Sequence, residues 1–223
     1  MNSTDLRTQA IVLRRTNYSE SDRILNFITP EGKVAALAHG VRKSKSRLAG
    51  GIELFSVADI VVHQGRAKLA TLTSARMLRF YGNIVSDLNR LEMAAQFLKR
   101  IERAAEQISN SEHFLLLDQA LQGLNRGLDL SLVETWFSLN LCRVNGDEIN
   151  FFCDVAGTPL SAEQIYVWDT TESSLRPEPH GKIGVKEIKL ARFLLSNPLA
   201  WAGKVEDITE VLPPIAEIAK IIK

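Results

Sequence analysis

Arg42, Lys43, Lys45 and Arg47 place four cations in six consecutive positions, interrupted only by serines and bracketed by Gly40 and Gly50-Gly51. Such a cluster makes and breaks no bonds. Its chemistry is phosphate neutralisation, since each Lys or Arg that meets a nucleic-acid phosphate releases a condensed counterion. Flanking glycines keep a loop mobile and let its backbone approach a partner closely. Taken alone, the run is equally what a solvated surface loop looks like. Further cations tip the balance: Arg14, Arg15, Arg23, Lys33, Arg66 and Lys68 fall in or beside the apolar, β-rich segments around it. Tyr18, Phe27, Phe55 and Phe80 could stack on bases, although Phe27 and Phe55 sit in apolar runs and read as core. A cationic groove with occasional aromatics holds single strands without reading their sequence.

Other chemistries are poorly represented. Gly32-Lys33 and Gly181-Lys182 lack the glycine spacing of a phosphate-binding loop, and neither a Gly-x-Ser-x-Gly elbow nor a His-Glu-x-x-His pair occurs. His39, His63, His113 and His180 are scattered and read as surface or strand-end residues, and Glu20 and Asp22 beside a turn read as solvating or capping groups. No catalytic residue is assigned, and a non-enzyme is expected. Cys153-Asp-Val-Ala156-Gly157 misses a Cys-x-x-Cys-Gly knuckle by one residue and has no downstream cysteine pair. Tetrahedral zinc needs a full ligand set, so neither a metal nor a cofactor is expected. With only Cys142 and Cys153, no cationic leader and no apolar run long enough to span a bilayer, the chain reads as cytoplasmic.

A second group of cations lies on predicted helices: Lys99, Arg100 and Arg103 on the first long one, Arg126 and Arg143 at the ends of the next two. Cations near helix C-termini complement the macrodipole without any partner. The functional alternative is an Arg/Lys-rimmed apolar groove that captures a short acidic-hydrophobic peptide.

The elements that must position these residues change character along the chain. Its 223 residues carry a net charge of +1, but residues 1–80 hold 13 Lys/Arg against 6 Asp/Glu and the remainder 14 against 20. The basic front reads as five strands: Gln9–Thr16, Arg23–Thr29, Lys33–Ala38 after a Pro30-Glu31-Gly32 turn, Ile52–His63 and Lys68–Phe80. That pattern predicts a small barrel of OB-fold or SH3-like type. From Asp87 the period becomes helical, with helices expected over Leu88–Gln107, from Ser111 or Glu112 to Arg126, and from Asp129 to about Val144. Residues 146–184 read as irregular. Helices follow over Gly184–Leu195 and within Val205–Lys223, where Pro213-Pro214 predicts only a turn and a short helix. The expected organisation is α+β: an OB-fold nucleic-acid-binding domain over 1–80 and a helical domain over 81–223 with an irregular insert at about 146–184.

Several ordered motifs resemble the RecO family of recombination mediators. They are Ala10-Ile11-Val12-Leu13-Arg14-Arg15, Tyr18-Ser19-Glu20-Ser21-Asp22-Arg23-Ile24-Leu25, Thr29-Pro30-Glu31-Gly32-Lys33, Ala38-His39-Gly40-Val41-Arg42-Lys43-Ser44-Lys45-Ser46-Arg47-Leu48, and Leu72-Thr73-Ser74-Ala75. The likeness is specific over residues 8–80, holds in pattern over 87–145 and is weak after 160. It implies a five-stranded OB-fold barrel, a helical domain and, in many members, a zinc knuckle, here degenerate because only Cys153 remains. It further implies DNA repair and recombination after DNA damage. Its components are binding of single- and double-stranded DNA, single-strand annealing, and replacement of single-strand-binding protein by RecA together with RecR and, in some pathways, RecF. The acidic C-terminal tail of single-strand-binding protein is an implied partner, no membrane is, and the implied location is the cytoplasm, at the nucleoid. Carried over by position, Arg14, Arg15, Arg23, Lys33, Arg42, Lys43, Lys45 and Arg47 are the DNA-binding residues. The residues alone leave open an RNA-binding OB-fold protein acting in translation or RNA folding, or a non-catalytic protein-interaction adaptor.

Overall fold

The computed structural model describes residues 4–65, 67, 69–107, 111–147 and 149–222. They form two compact units, Met1–Asn125 and Arg126–Lys223.

The first unit is built on a closed five-stranded barrel of order β1-β2-β3-β5-β4. Its strands are β1 (Thr4–Asn17), β2 (Arg23–Thr29), β3 (Gly32–Ala38), β4 (Ser56–Gln64) and β5 (Ala70–Phe80). Closure comes from two pairings that a sequence does not announce. One is a short parallel contact of β3 with β5 at Ala36↔Ala70 and Leu37↔Thr71. The other runs along the first half of β1, which pairs with β4 from Thr4↔Gln64 to Ile11↔Val57. The second half of β1 pairs with β2, and this double duty explains its length of 14 residues. This is the strand order and connectivity of an OB-fold, so the barrel expected from the alternating apolar pattern is present. Alternate residues point inward, and Val12, Leu25, Phe27, Ile60, Val62 and Leu72 fill the interior together with small residues such as Ala36 and Ala58. The β2–β3 hairpin turns as its Pro30-Glu31-Gly32 sequence predicts: Gly32 takes φ +114° and Thr29 Oγ1 donates to the Gly32 carbonyl at 2.9 Å.

Three helices complete this unit: α1 (Gly82–Val85), α2 (Leu88–Gln107) and α3 (Glu112–Asn125). Asp87 caps α2, accepting the Arg90 amide at 3.1 Å. His113, expected at the surface, is fully buried on α3 among Phe114, Leu116 and Leu117.

The second unit packs α4 (Leu130–Asn145) with α5 (Val185–Ser196), α6 (Leu199–Ala202) and α7 (Ile208–Ile221), and carries a two-stranded hairpin of β6 (Tyr166–Asp169) and β7 (Ser174–Pro177). Asp129 caps α4 by accepting the Leu132 amide at 2.9 Å, and Gly146 ends it in the left-handed conformation at φ +85°. The expectation for Pro213-Pro214 fails. Both prolines lie inside one 14-residue helix, α7, rather than ending it. Burial explains why: Leu212, Ile215, Ala216, Ile218 and Ala219 are buried along α7, which packs on α4 and α5. Packing of that stripe outweighs the intrahelical hydrogen bonds the prolines cannot donate. Among the described residues, no helix is long and apolar enough to cross a membrane.

Candidate nucleic-acid interface

The basic run sits between β3 and β4, and the fold holds it at both ends. At its start Asp22, in the β1–β2 turn, accepts the Gly40 amide at 2.8 Å and the Ser21 hydroxyl at 3.0 Å on Oδ1, while Oδ2 lies 3.1 Å from His39 Nδ1. These contacts, the Gly40 amide foremost, lower the Asp22 carboxyl to a pKa of about 2. Arg42 ties the same two loops together. Its amide donates to the Ser21 carbonyl at 3.0 Å, and its guanidinium donates to the Ser19 carbonyl at 2.9 Å. Val41 is buried in the barrel core. At the far end a 3-10 turn over Ala49–Gly51 brings Gly51 against β5, where a Cβ would lie 2.5 Å from the Ala75 backbone. Ile52 then re-enters the core. Turn hydrogen bonds Lys43 N–Gly40 O and Ser46 N–Lys43 O organise the middle. Gly51 therefore serves close packing and Gly40, at φ +63°, a positive-φ turn, and the run is tethered rather than free as its composition suggested.

Charge compensation separates the cations. Lys43, Lys45 and Arg47 are exposed and, among the described residues, have no carboxylate partner. Arg42 is exposed and spends hydrogen bonds only on neutral carbonyls. Arg23, the first residue of β2, donates to Asn17 Oδ1 at 3.1 Å, again a neutral partner. Three of the other candidate strand cations face acids. Arg15 pairs with Glu53 at 3.0 Å. Arg14 pairs with Glu102 of α2 at 2.9 Å, and Lys33 with Glu106 at 2.8 Å and Glu102 at 4.0 Å. Lys33 holds the Glu106 carboxyl below its ordinary value by hydrogen bond and charge. Arg66 and Lys68 lie outside the described residues.

Sequence reasoning missed two acids. Asp22, read as a solvating or capping group, is the anchor of the loop. Its signal is the short Ser-x-Ser-Asp turn, in which Ser19 Oγ accepts the Asp22 amide at 3.1 Å. Glu102 had no local signal, being one of several acids on a long helix. Nearby, the Tyr81 hydroxyl donates to Asp118 Oδ1, and Asp118 also accepts from Arg79 at 3.1 Å and Gln122 at 3.0 Å. Burial, before any other cause, pushes the Tyr81 phenol up to about 12. This network joins the end of β5 to α3.

The cations proposed for a peptide divide between the units. Lys99 and Arg103 are exposed on α2 and Arg100 beside them is half-buried. Arg126 and Arg143 belong to the second unit, where Arg143 also donates to Asn140 Oδ1 at 3.4 Å. In the segment read from sequence as a degenerate knuckle, Asp154 Oδ1 accepts the amides of Ala156 and Thr158, both at 2.9 Å, and Gly157 takes φ +78°. A carboxylate thus closes the turn by hydrogen bonds. Among the described residues, no group of three or more His, Cys, Asp or Glu could hold a metal ion.

Residues 1–81 match the family described as Recombination protein O N terminal. Over 207 residues the chain is 30% identical to a DNA repair protein RecO of Roseiflexus, covering 89% of this chain and 73% of that one. It is 32% identical over 216 residues to a protein of the same name in Dehalococcoides mccartyi, covering 93% and 85% of the two chains. A third such protein, from Alkaliphilus metalliredigens, is 29% identical over 210 residues, covering 90% and 85%.

Proposed function

The chain belongs to the RecO family of DNA repair proteins, and from that premise we propose that it is a non-catalytic mediator. In this role it binds single- and double-stranded DNA, anneals complementary strands and helps replace single-strand-binding protein by RecA, together with RecR and in some pathways RecF. The observation that carries the reading is the uncompensated charge of the tethered loop. Among the described residues, Arg42, Lys43, Lys45 and Arg47 are exposed beside the closed barrel with no carboxylate to neutralise them. Uncompensated cations on a fixed frame can exchange counterions for phosphates with little rearrangement. Arg23 extends the cationic surface with a neutral partner, whereas Arg14, Arg15 and Lys33 contribute at its margin with part of their charge already engaged. Arg66 and Lys68, which lie outside the described residues, complete the assignment.

For the acidic tail of single-strand-binding protein, the proposed contacts are the exposed cations Lys99 and Arg103 with Arg100 on α2 of the first unit and, as a separate candidate, Arg126 and Arg143 of the second unit. The test is strand annealing on naked DNA and on DNA coated with single-strand-binding protein. The chain should accelerate annealing in both settings. Replacing Arg42, Lys43, Lys45 and Arg47 together by Ala should reduce the rate on naked DNA at least tenfold. An undiminished rate would remove the loop from the proposal.

A further inference from the structure

We infer that Tyr18 is the residue by which this surface distinguishes unpaired from paired DNA, its ring stacking on a base of a single strand whose phosphates rest on Arg42 and the loop cations. The inference builds on the DNA-binding reading above and adds the strand form that one residue selects. Of the five aromatics in or beside the barrel strands, Phe27, Phe55 and Tyr81 are 0%, 5% and 4% exposed and serve the core. Phe80 is 48% exposed, but its ring lies against the start of α1, 3.2 Å from where a Gly82 Cβ would be. Tyr18 is 64% exposed, and among the described residues its ring and hydroxyl have no partner.

Its position is nevertheless fixed. The Tyr18 amide donates to the Asp22 carbonyl at 3.1 Å, and the next residue, Ser19, accepts the Arg42 guanidinium at 2.9 Å on its carbonyl. Asp22 in turn holds Gly40 at 2.8 Å. One hydrogen-bonded network therefore carries the aromatic and the first loop cation on neighbouring residues. Adjacent Cα atoms are about 3.8 Å apart, so Tyr18 and the Ser19 carbonyl that holds the Arg42 guanidinium lie within reach of a few nucleotides of one strand. A single strand can lay phosphates on the cations and swing a base onto the ring. A duplex offers the same phosphates but keeps its bases stacked inside, so the ring gains nothing from it. Stacking tolerates any base, which suits a surface that selects strand form rather than sequence.

The test uses the full chain with Tyr18→Ala, Tyr18→Leu and Tyr18→Phe, and oligonucleotides containing 2-aminopurine, whose fluorescence is quenched by stacking. The parent and Tyr18→Phe should quench the probe and bind it equally. Tyr18→Ala and Tyr18→Leu should lose the quench and bind the single strand about tenfold more weakly, from the energy of one base–aromatic stack, with duplex affinity unchanged within about twofold. Equal losses on both strand forms, or no loss on the single strand, would overturn the role of Tyr18 while leaving the loop assignment intact. If the parent retarded neither form at about 50 mM salt, where phosphate contacts are strong, both readings would fall together.

Discussion

Glu102 Oε1 lies 2.9 Å from Arg14 Nε, and the same oxygen accepts the Asn26 side-chain Nδ2–H at 2.8 Å. Arg14 and Asn26 are cross-strand partners on β1 and β2, brought opposite each other by the bulge between Val12 and Arg14. With Lys33 on β3 4.0 Å away, one helical carboxylate is shared by three neighbouring strands. The Glu102 side chain is only 15% exposed, so its loss would leave polar groups of the sheet under-satisfied. Glu102→Ala should lower the unfolding free energy by about 2 kcal/mol, the scale of hydrogen bonds to a charged group, and Glu102→Gln should recover part of it. Urea denaturation of the full chain measures this.

Salt titration separates the two classes of cation. Single-strand binding weakens with salt with a log–log slope of about −0.7 per phosphate contact. Removing Arg42, Lys43, Lys45 and Arg47 together should flatten that slope by about 3. Arg14→Ala should change it much less, because Glu102 already compensates that charge. Fluorescence anisotropy from about 50 to 200 mM salt resolves the difference.

The anchor of the loop has its own signature in pH. The Gly40 amide, foremost, holds the Asp22 carboxyl at about 2 in the folded chain, below its ordinary value of 3.8. A depressed carboxylate contributes stability that is fully present above the unfolded value and is lost as pH falls through the folded one. The loop should therefore stay anchored at neutral pH and release only between about pH 4 and 2. The Gly40 amide shift in NMR should report a midpoint near 2. Asp22→Asn should abolish that titration and speed tryptic cleavage after Arg42, Lys43, Lys45 and Arg47 at pH 8.

At the other end, Gly51→Ala places a methyl 2.5 Å from the Ala75 backbone. The 3-10 turn must shift away from β5, at a cost of roughly 1–3 kcal/mol for overpacking. Thermal unfolding should show the loss. Gly50→Ala, which meets nothing within 4 Å, should leave the melting temperature within about a degree or two of the parent, as surface changes usually do.

Where pattern is local, the sequence was readable. Arg23–Thr29 and Leu88–Gln107 emerge at the limits expected from alternation and from the helical period, because each carries its own apolar face and its own end signals. The basic run was visible as composition. Which cations remain uncompensated was not, since Arg14 and Lys33 meet acids of α2 that lie far along the chain and no spacing rule links them. Asp22 was misjudged for a related reason: its partner Gly40 lies across the whole β2–β3 hairpin. The prolines of α7 misled in the opposite sense, because a local penalty was read without the buried stripe that outweighs it.

Val41 and Ile52, buried on either side of the basic run, also decide the thermodynamics of capture. A chain with free ends must surrender conformational entropy when it grips a ligand. Here folding has already closed the segment at both ends. On the proposed DNA-binding reading, capture by this loop is then driven chiefly by the entropy of released ions rather than opposed by the entropy of the backbone. Calorimetry at low salt should find it entropically favourable, with the heat of binding playing the minor part.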